Sequence, residues 1–371
     1  MTSAPSTTAR AATADQPLVP AFEQPGFHEI TVGRSGRLLS YAVPAVDADH
    51  AFELARNCAR RYSSAQEPAF LAEAAVLAHE LSQPIRRACN LARLNERTHA
   101  VVLANAVRAL DLVGDTPGHW RAAEPSDSPA HSYLLALYAS LFGDLIGWLT
   151  QQDGRVVTDV LPIPGFETSE VSSSSAKELG WHTEDAFSDA RADYVALMCL
   201  RSREPVPTTL SYLEPQALAP QVLEVLHQKR FLIRPDTSHQ ATPTTTGETE
   251  QQAADRIERR RVEPPRVAVL SGHPDAPTLR IDRDFTAAPD DDPVAADALA
   301  AVIAHLDDNI YELPLRPGDI AIIDNRNAVH GRRPFRAYYD GKDRWLKRVN
   351  IITDLRRARP SRADSTTRLI G

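Results

Sequence analysis

After residue 150 the chain is built from short β-branched runs set between prolines, glycines, aspartates and serines. They are Val156–Pro162 (VVTDVLP), Tyr194–Leu200, Arg230–Arg234, Val267–Leu270, Thr278–Ile281, Gly318–Ile323 (GDIAII) and Leu346–Thr353 (LKRVNIIT). Runs this short suit strands and not helices. Several short strands with turn signals between them predict a sandwich or a barrel. One helical pattern, Pro293–Leu306, interrupts them, and no internal repeat is visible.

The part ahead of residue 150 reads as helical. Asp49–Arg61, Pro68–Leu81 and Pro84–Asn95 carry helical spacing or Ala/Leu/Glu-rich composition, with prolines suited to first turns. Tyr133–Leu149 (YLLALYASLFGDLIGWL) is the most apolar segment. It is short for a bilayer and contains Asp144, so it predicts a buried helix. The expected organisation is a disordered leader over 1–20 and one domain over 21–371. That domain divides into a helical part to about 150, a core over 151–362 and a lid-like insertion over 236–265. The insertion is polar and Thr/Gln/Glu-rich, without an apparent apolar stripe. It predicts a lid or a disordered loop, and its Arg259–Arg261 cluster a solvated face.

Composition narrows the function. Lys plus Arg number 41 and Asp plus Glu 49, a net charge of −8, which disfavours nucleic acid and anionic membranes as partners. Cys58, Cys89 and Cys199 are far apart and form no CxxC, so neither a disulfide scaffold nor a zinc ribbon is expected, and a reducing cytoplasm fits. Residues 1–20 lack the apolar core of a signal peptide. The chain has no GxSxG and no phosphate loop, and His79-Glu80 lacks the second histidine of a zinc protease motif. Asp290-Asp291-Asp292 lacks the spacing and glycine of an EF-hand loop.

One constellation remains. In Trp181-His182-Thr183-Glu184-Asp185, His182 and Glu184 would share one face of an extended segment, as two ligands of one metal ion. A third, His330, stands 146 residues after Glu184, beside Gly331 and just past a strand and a turn. Two histidines and one carboxylate form the facial triad of non-heme Fe(II) oxygenases. Arg344, Leu346 and Arg348 fall on one face of a strand, the two arginines ~13 Å apart at ~3.3 Å per residue. Inward arginines are costly unless each meets an anion, and a dicarboxylate cosubstrate with an amino-acid substrate would supply two.

Four blocks, GWHTEDAF (180–187), RADYVALMCLR (191–201), HGRRPF (330–335) and YDGKDRWLKR (339–348), resemble the clavaminate synthase-like Fe(II)/2-oxoglutarate-dependent oxygenases. Within that family the likeness is to the free L-arginine hydroxylases of peptide-antibiotic biosynthesis, such as those of the viomycin and streptolidine pathways. It runs from about residue 130 to 362. The resemblance implies a mainly β fold with flanking helices (α+β) and a distorted double-stranded β-helix, or jelly-roll, core. It implies Fe(II) on His182, Glu184 and His330, with 2-oxoglutarate and O2 as cosubstrates. It assigns Arg344 to the distal carboxylate of 2-oxoglutarate, with a threonine, Thr208 or Thr209, helping. Arg348 is matched to the substrate α-carboxylate, and Gln151 and Ser172 to its amino-acid end. Asp236, Asp282 and Asp284 would hold the guanidinium, whose five donors suit carboxylates. Asp282 and Asp284, at i and i+2 on an expected strand, would face the same way ~6.6 Å apart.

The activity implied is hydroxylation of free L-arginine, at C3. Hydroxylation at C4, double hydroxylation and desaturation remain open. So do lysine, ornithine or an arginine-derived amino acid such as enduracididine as substrate, and a β-sandwich binding protein that has lost its metal.

Overall fold

A computed structural model describes residues 26–32, 36–95, 97–122, 129–169, 171–239 and 248–371. The expected leader over 1–20 lies outside the described residues.

Two β-sheets carry the core. The major sheet runs in the order Phe27–Val32, Gly36–Ala42, Thr98–Ala104, Ile320–Asp324, Tyr194–Arg201, Trp345–Ile352, Asp144–Trp148, Leu369–Ile370, and Val157–Val160 also pairs with Trp345–Ile352. The minor sheet runs Tyr311–Pro314, Pro207–Tyr212, Ala328–Arg332, Leu179–His182. The central strands of the major sheet are apolar on both sides because both faces are covered. Ala196, Met198, Ile320, Ile322, Val349 and Ile351 pack toward the helices. Their alternates Val195, Leu197, Cys199, Ala321, Ile323 and Leu346 pack with Leu210 and Ala328 of the minor sheet. The helix Pro293–Asp308 covers a third cluster that includes Trp181 and Val329. Asp292 caps that helix, its side chain accepting from Ala295 N at 3.0 Å, which accounts for one member of the acidic run.

Three helices expected from the sequence stand as Ala45–Arg61, Pro68–Ala78 and Gln83–Leu94. The part before residue 150 is nonetheless not purely helical. Phe27–Val32, Gly36–Ala42 and Thr98–Ala104 join the major sheet, and residues 98–103 are buried on both faces. Tyr133–Leu149 is not one helix either. The helix Pro129–Ser140 stops there, and Asp144–Trp148 becomes a strand of the major sheet. Gly143 makes the crossing: a Cβ on it would stand 2.5 Å from Ile352 O. Uniform apolarity hid the change, since buried helix and buried strand look alike in such a run. Val267–Leu270 is divided between two short strands, Arg266–Val267 and Leu270–His273.

The polar insertion contains a helix, Glu248–Val262. It does bury a narrow stripe: Ala253, Ala254 and Ile257 are all under 3% exposed. Two of its arginines are tied down rather than solvated. Arg260 donates to Phe187 O at 2.6 Å and Arg261 to His239 O at 2.9 Å. Residues 240–247 of the insertion lie outside the described residues. All three cysteines are buried and unpaired. Among the described residues no helix is long and apolar enough to cross a membrane.

Candidate active site

Sheet pairing brings the two histidines together. His182 and His330 are direct cross-strand partners in the minor sheet, and their rings lie 4.6 Å apart. The extended segment ends at His182, and Glu184 sits in the following turn. Its carboxylate still reaches the histidines because Asn325 clamps the backbone. Asn325 is fully buried, accepts from Glu184 N at 2.7 Å and donates to Ala192 O at 2.8 Å.

The three side chains offer ligand atoms all within 4.8 Å of one another. Glu184 Oε2 is 3.7 Å from His182 Nε2 and 3.4 Å from His330 Nε2. Although buried, Oε2 has no hydrogen-bond partner, and neither has His330 Nδ1. His182 Nδ1 donates to Gly180 O at 2.9 Å, which aims Nε2 toward the carboxylate. Two imidazole nitrogens and one unsatisfied carboxylate oxygen fit a non-heme Fe(II) centre, and could hold one.

Charge is arranged around that carboxylate. Burial alone would raise the pKa of Glu184, but the Arg348 guanidinium, with Nη1 2.7 Å from Oε1, and the two adjacent imidazoles hold it well below the usual range. Burial pulls the His182 pKa down, yet the carboxylates of Glu184 and Asp282 outweigh it and raise the value to about 9. His330 is lowered, mainly by burial.

These groups line a cleft of about 830 Å³ walled by both sheets. Arg344, Leu346 and Arg348 project into it together, as the alternation of their strand requires. At one end, Arg344 is buried and makes no hydrogen bond or ion pair among the described residues. Burial lowers its pKa to about 10. Thr208 lines the same cleft, and its Oγ1 is buried without a partner; Thr209 does not line it. Arg332, missed in the sequence although it belongs to HGRRPF, adds a second buried guanidinium there.

Ser172, Asp236 and Asp282 line the cleft as well. Burial raises Asp282 to about 6, against the pull of His182. Gln151 is buried behind the wall, donating to Ser238 Oγ at 2.7 Å, and is not among the lining residues. Asp284 departs from the expected strand. Only Asp282 is in a bridge, opposite His182, and residues 283–285 turn. Asp282 Oδ1 accepts from the N–H groups of Asp284 and Phe285, at 2.9 and 3.0 Å, and closes that turn. The Asp284 side chain is 40% exposed and is not among the lining residues.

A sheet-rich core with two histidines and a glutamate converging in a cleft, beside a buried unpaired arginine, defines a non-heme iron, 2-oxoglutarate-dependent dioxygenase. The chain belongs to the taurine catabolism dioxygenase TauD, TfdA family, whose pattern matches residues 135–350. It is 39% identical over 336 residues to enduracididine beta-hydroxylase of Streptomyces hygroscopicus, covering 88% of this chain and 97% of that one. It is 37% identical over 326 residues to L-ornithine/L-arginine 3-hydroxylase of Catenulispora acidiphila, covering 85% and 94%. Among solved structures, the non-heme iron oxygenase OrfP with Fe, succinate and (3S)-hydroxy-L-Arg matches with a TM-score of 0.85 at 38% identity, covering 90% of this chain and 99% of that chain. OrfP has also been solved with Fe and alpha-ketoglutaric acid, and with Fe and L-Arg. The core is therefore a jelly roll flanked by helices, and the protein is an amino-acid hydroxylase that uses Fe(II), 2-oxoglutarate and O2.

Proposed function

We propose that this chain hydroxylates free L-arginine at C3. The observation that carries the reading is the lining of one cavity: Arg344, without a partner among the described residues, the carboxylates of Asp236 and Asp282, and the His182–Glu184–His330 set. The names of the relatives support a basic amino acid as substrate.

In this reading His182, Glu184 and His330 hold Fe(II). Bound together, iron, 2-oxoglutarate and O2 supply the oxidant: the oxo acid becomes succinate and CO2, and one oxygen atom enters a C–H bond. The chain's own residues do the positioning. Arg344 and Thr208 take the distal carboxylate of 2-oxoglutarate, which gives both a partner. Arg348 takes the substrate α-carboxylate while keeping Glu184 ionised. Ser172 orients the amino-acid end; Gln151, which donates to Ser238 Oγ beside Asp236, steadies that wall of the cleft instead. Asp236 and Asp282 pair with the guanidinium, and Asp284 joins them if the 283–285 turn rearranges around substrate. Fixing a flexible substrate at both ends leaves its middle carbons facing the metal, and this selects the reactive C–H bond by geometry.

A second reading keeps the site and changes the substrate to ornithine or enduracididine, in line with the two relatives. Incubating the protein with Fe(II), 2-oxoglutarate and each amino acid in turn, with mass analysis and NMR of the products, separates the readings.

A further inference from the structure

Beside Asp236 lies a polar network centred on His239, a residue that the reading above does not use. His239 is 1% exposed. Its ring is gripped edge-on by Trp148 and Phe187, with centroids 4.9 and 4.8 Å away and interplanar angles of 89° and 81°. Nδ1 is 2.8 Å from Thr150 Oγ1, and Nε2 is 3.0 Å from Asp185 Oδ1. The tautomer with its hydrogen on Nε2 satisfies both, donating to Asp185 and accepting from Thr150. The backbone carbonyl of His239 is held by Arg261 of the 248–262 helix.

Two residues lead from His239 to the cleft on one side. Ser238 N and Oγ donate to Asp236 Oδ1 at 2.8 and 2.6 Å, and fix the carboxylate that lines the cavity. Gln151 donates to Ser238 Oγ at 2.7 Å, and its amide end is 3.1 Å from His239 Nε2. On the other side, Asp185 directly follows Glu184. It stands at φ 54°, a left-handed conformation that a non-glycine residue keeps only when its surroundings hold it. The holding groups are His239, Trp148 Nε1 at 2.6 Å and Asn350 Nδ2 at 3.1 Å.

We infer that His239 is a positioning residue: it pins the Asp236–Ser238 segment to the turn carrying Glu184, and so sets the substrate carboxylate relative to the metal-binding carboxylate. This rests on the reading of Asp236 as a substrate group. It touches neither substrate nor metal. Its loss lets the Asp236 wall drift, so arginine binds loosely while 2-oxoglutarate, held at the far end by Arg344 and Thr208, is unaffected. 2-Oxoglutarate is then consumed without arginine being oxidised.

The test is a double-mutant cycle between His239→Ala and Asp236→Ala, with His239→Gln as the conservative variant that keeps an N–H near the Nε2 position. Arginine KM, 2-oxoglutarate KM, the succinate-to-hydroxyarginine ratio and the melting temperature are read for each. The inference expects His239→Ala to raise arginine KM at least tenfold and to raise the succinate ratio, with 2-oxoglutarate KM within twofold. It expects the double variant to be no worse than Asp236→Ala alone and His239→Gln to restore most of the coupling. Arginine KM within twofold of wild type in His239→Ala overturns it. So do additive effects in the cycle, or equal rises in both KM values following a fall in melting temperature. If wild-type protein does not turn over arginine, the arginine reading fails separately. The cycle is then read with whichever of ornithine or enduracididine is hydroxylated, by the same criteria.

Discussion

Arg348 Nη1 lies 2.7 Å from Glu184 Oε1, so one oxygen of the central carboxylate carries a cation while the other, Oε2, faces two imidazoles without a hydrogen bond. The arrangement keeps the carboxylate charged in a buried place and leaves one oxygen for a metal. A carboxylate whose pKa is depressed in the folded protein contributes stability above its unfolded pKa, and the contribution is lost as pH falls through the folded value. Arg348→Ala raises that folded value. The variant is therefore expected to release Fe(II) at a higher pH on acidification than the wild type, in an anaerobic metal titration. It is also expected to raise arginine KM by about 10–100-fold, the worth of a charged hydrogen bond of ~1.5–3 kcal/mol. Unchanged metal release would separate Arg348 from Glu184.

Asp282 gives a pH dependence of opposite origin. Its carboxyl is raised to about 6 by burial, so it is ionised at neutral pH and protonated below that value. A protonated Asp282 cannot hold a guanidinium. The kcat/KM for arginine is expected to fall as pH drops through about 6, by ~10-fold per unit for one proton. For folding the sign is reversed: a raised carboxyl pKa favours the folded state as pH falls through the same window, so this group does not make the activity loss an unfolding limb. Asp282→Asn should remove this limb and lower arginine kcat/KM at neutral pH. Asp284→Asn, at a half-exposed turn position, should stay within about twofold, a surface-sized effect of ~0.5 kcal/mol. A large loss in Asp284→Asn would mean that the turn rearranges around substrate.

Arg344 is a buried cation without a partner among the described residues. Arg344→Met keeps bulk and removes charge. It is expected to raise 2-oxoglutarate KM by about 10–100-fold, from a charge-assisted pair worth ~1.5–3 kcal/mol. The cosubstrate-free variant should melt no lower than the wild type, because an uncompensated buried charge has gone. A lower melting temperature with unchanged KM would give Arg344 a purely structural place.

Asp159 tests the scaffold. It sits opposite Lys347 in the Val157–Val160/Trp345–Ile352 pair, accepting from Lys347 Nζ at 2.9 Å and Trp345 Nε1 at 2.8 Å, all buried. The same strand presents Arg348 to the cleft. Asp159→Ala leaves a buried ammonium unpaired and is expected to cost about 3–5 kcal/mol in urea unfolding. A loss under ~1 kcal/mol would show that the pair contributes little.

The sequence made the chemistry legible where it depends on residue identity at fixed spacing. Arg344 directly precedes the strand that carries Leu346 and Arg348, so period-two alternation put the three side chains into one cleft. Glu184 is in a turn, and it reaches the histidines through Asn325, a contact 141 residues away in the chain that no local pattern encodes. The same limit hid His239, whose partners come from three separate segments. Asp284 was misplaced because Asp282 closes a side-chain turn where alternation suggested a strand. Pro129–Trp148 was misread because a helix buried all round and a strand buried on both faces share one apolar signature.

The measurement that tests the central claim most directly is mass analysis of L-arginine after incubation with the protein, Fe(II), 2-oxoglutarate and air, with succinate quantified in the same sample. The account predicts arginine heavier by one oxygen, one succinate per product, and the hydroxyl on C3 by NMR. Unchanged arginine beside an ornithine or enduracididine that gains the oxygen would contradict it.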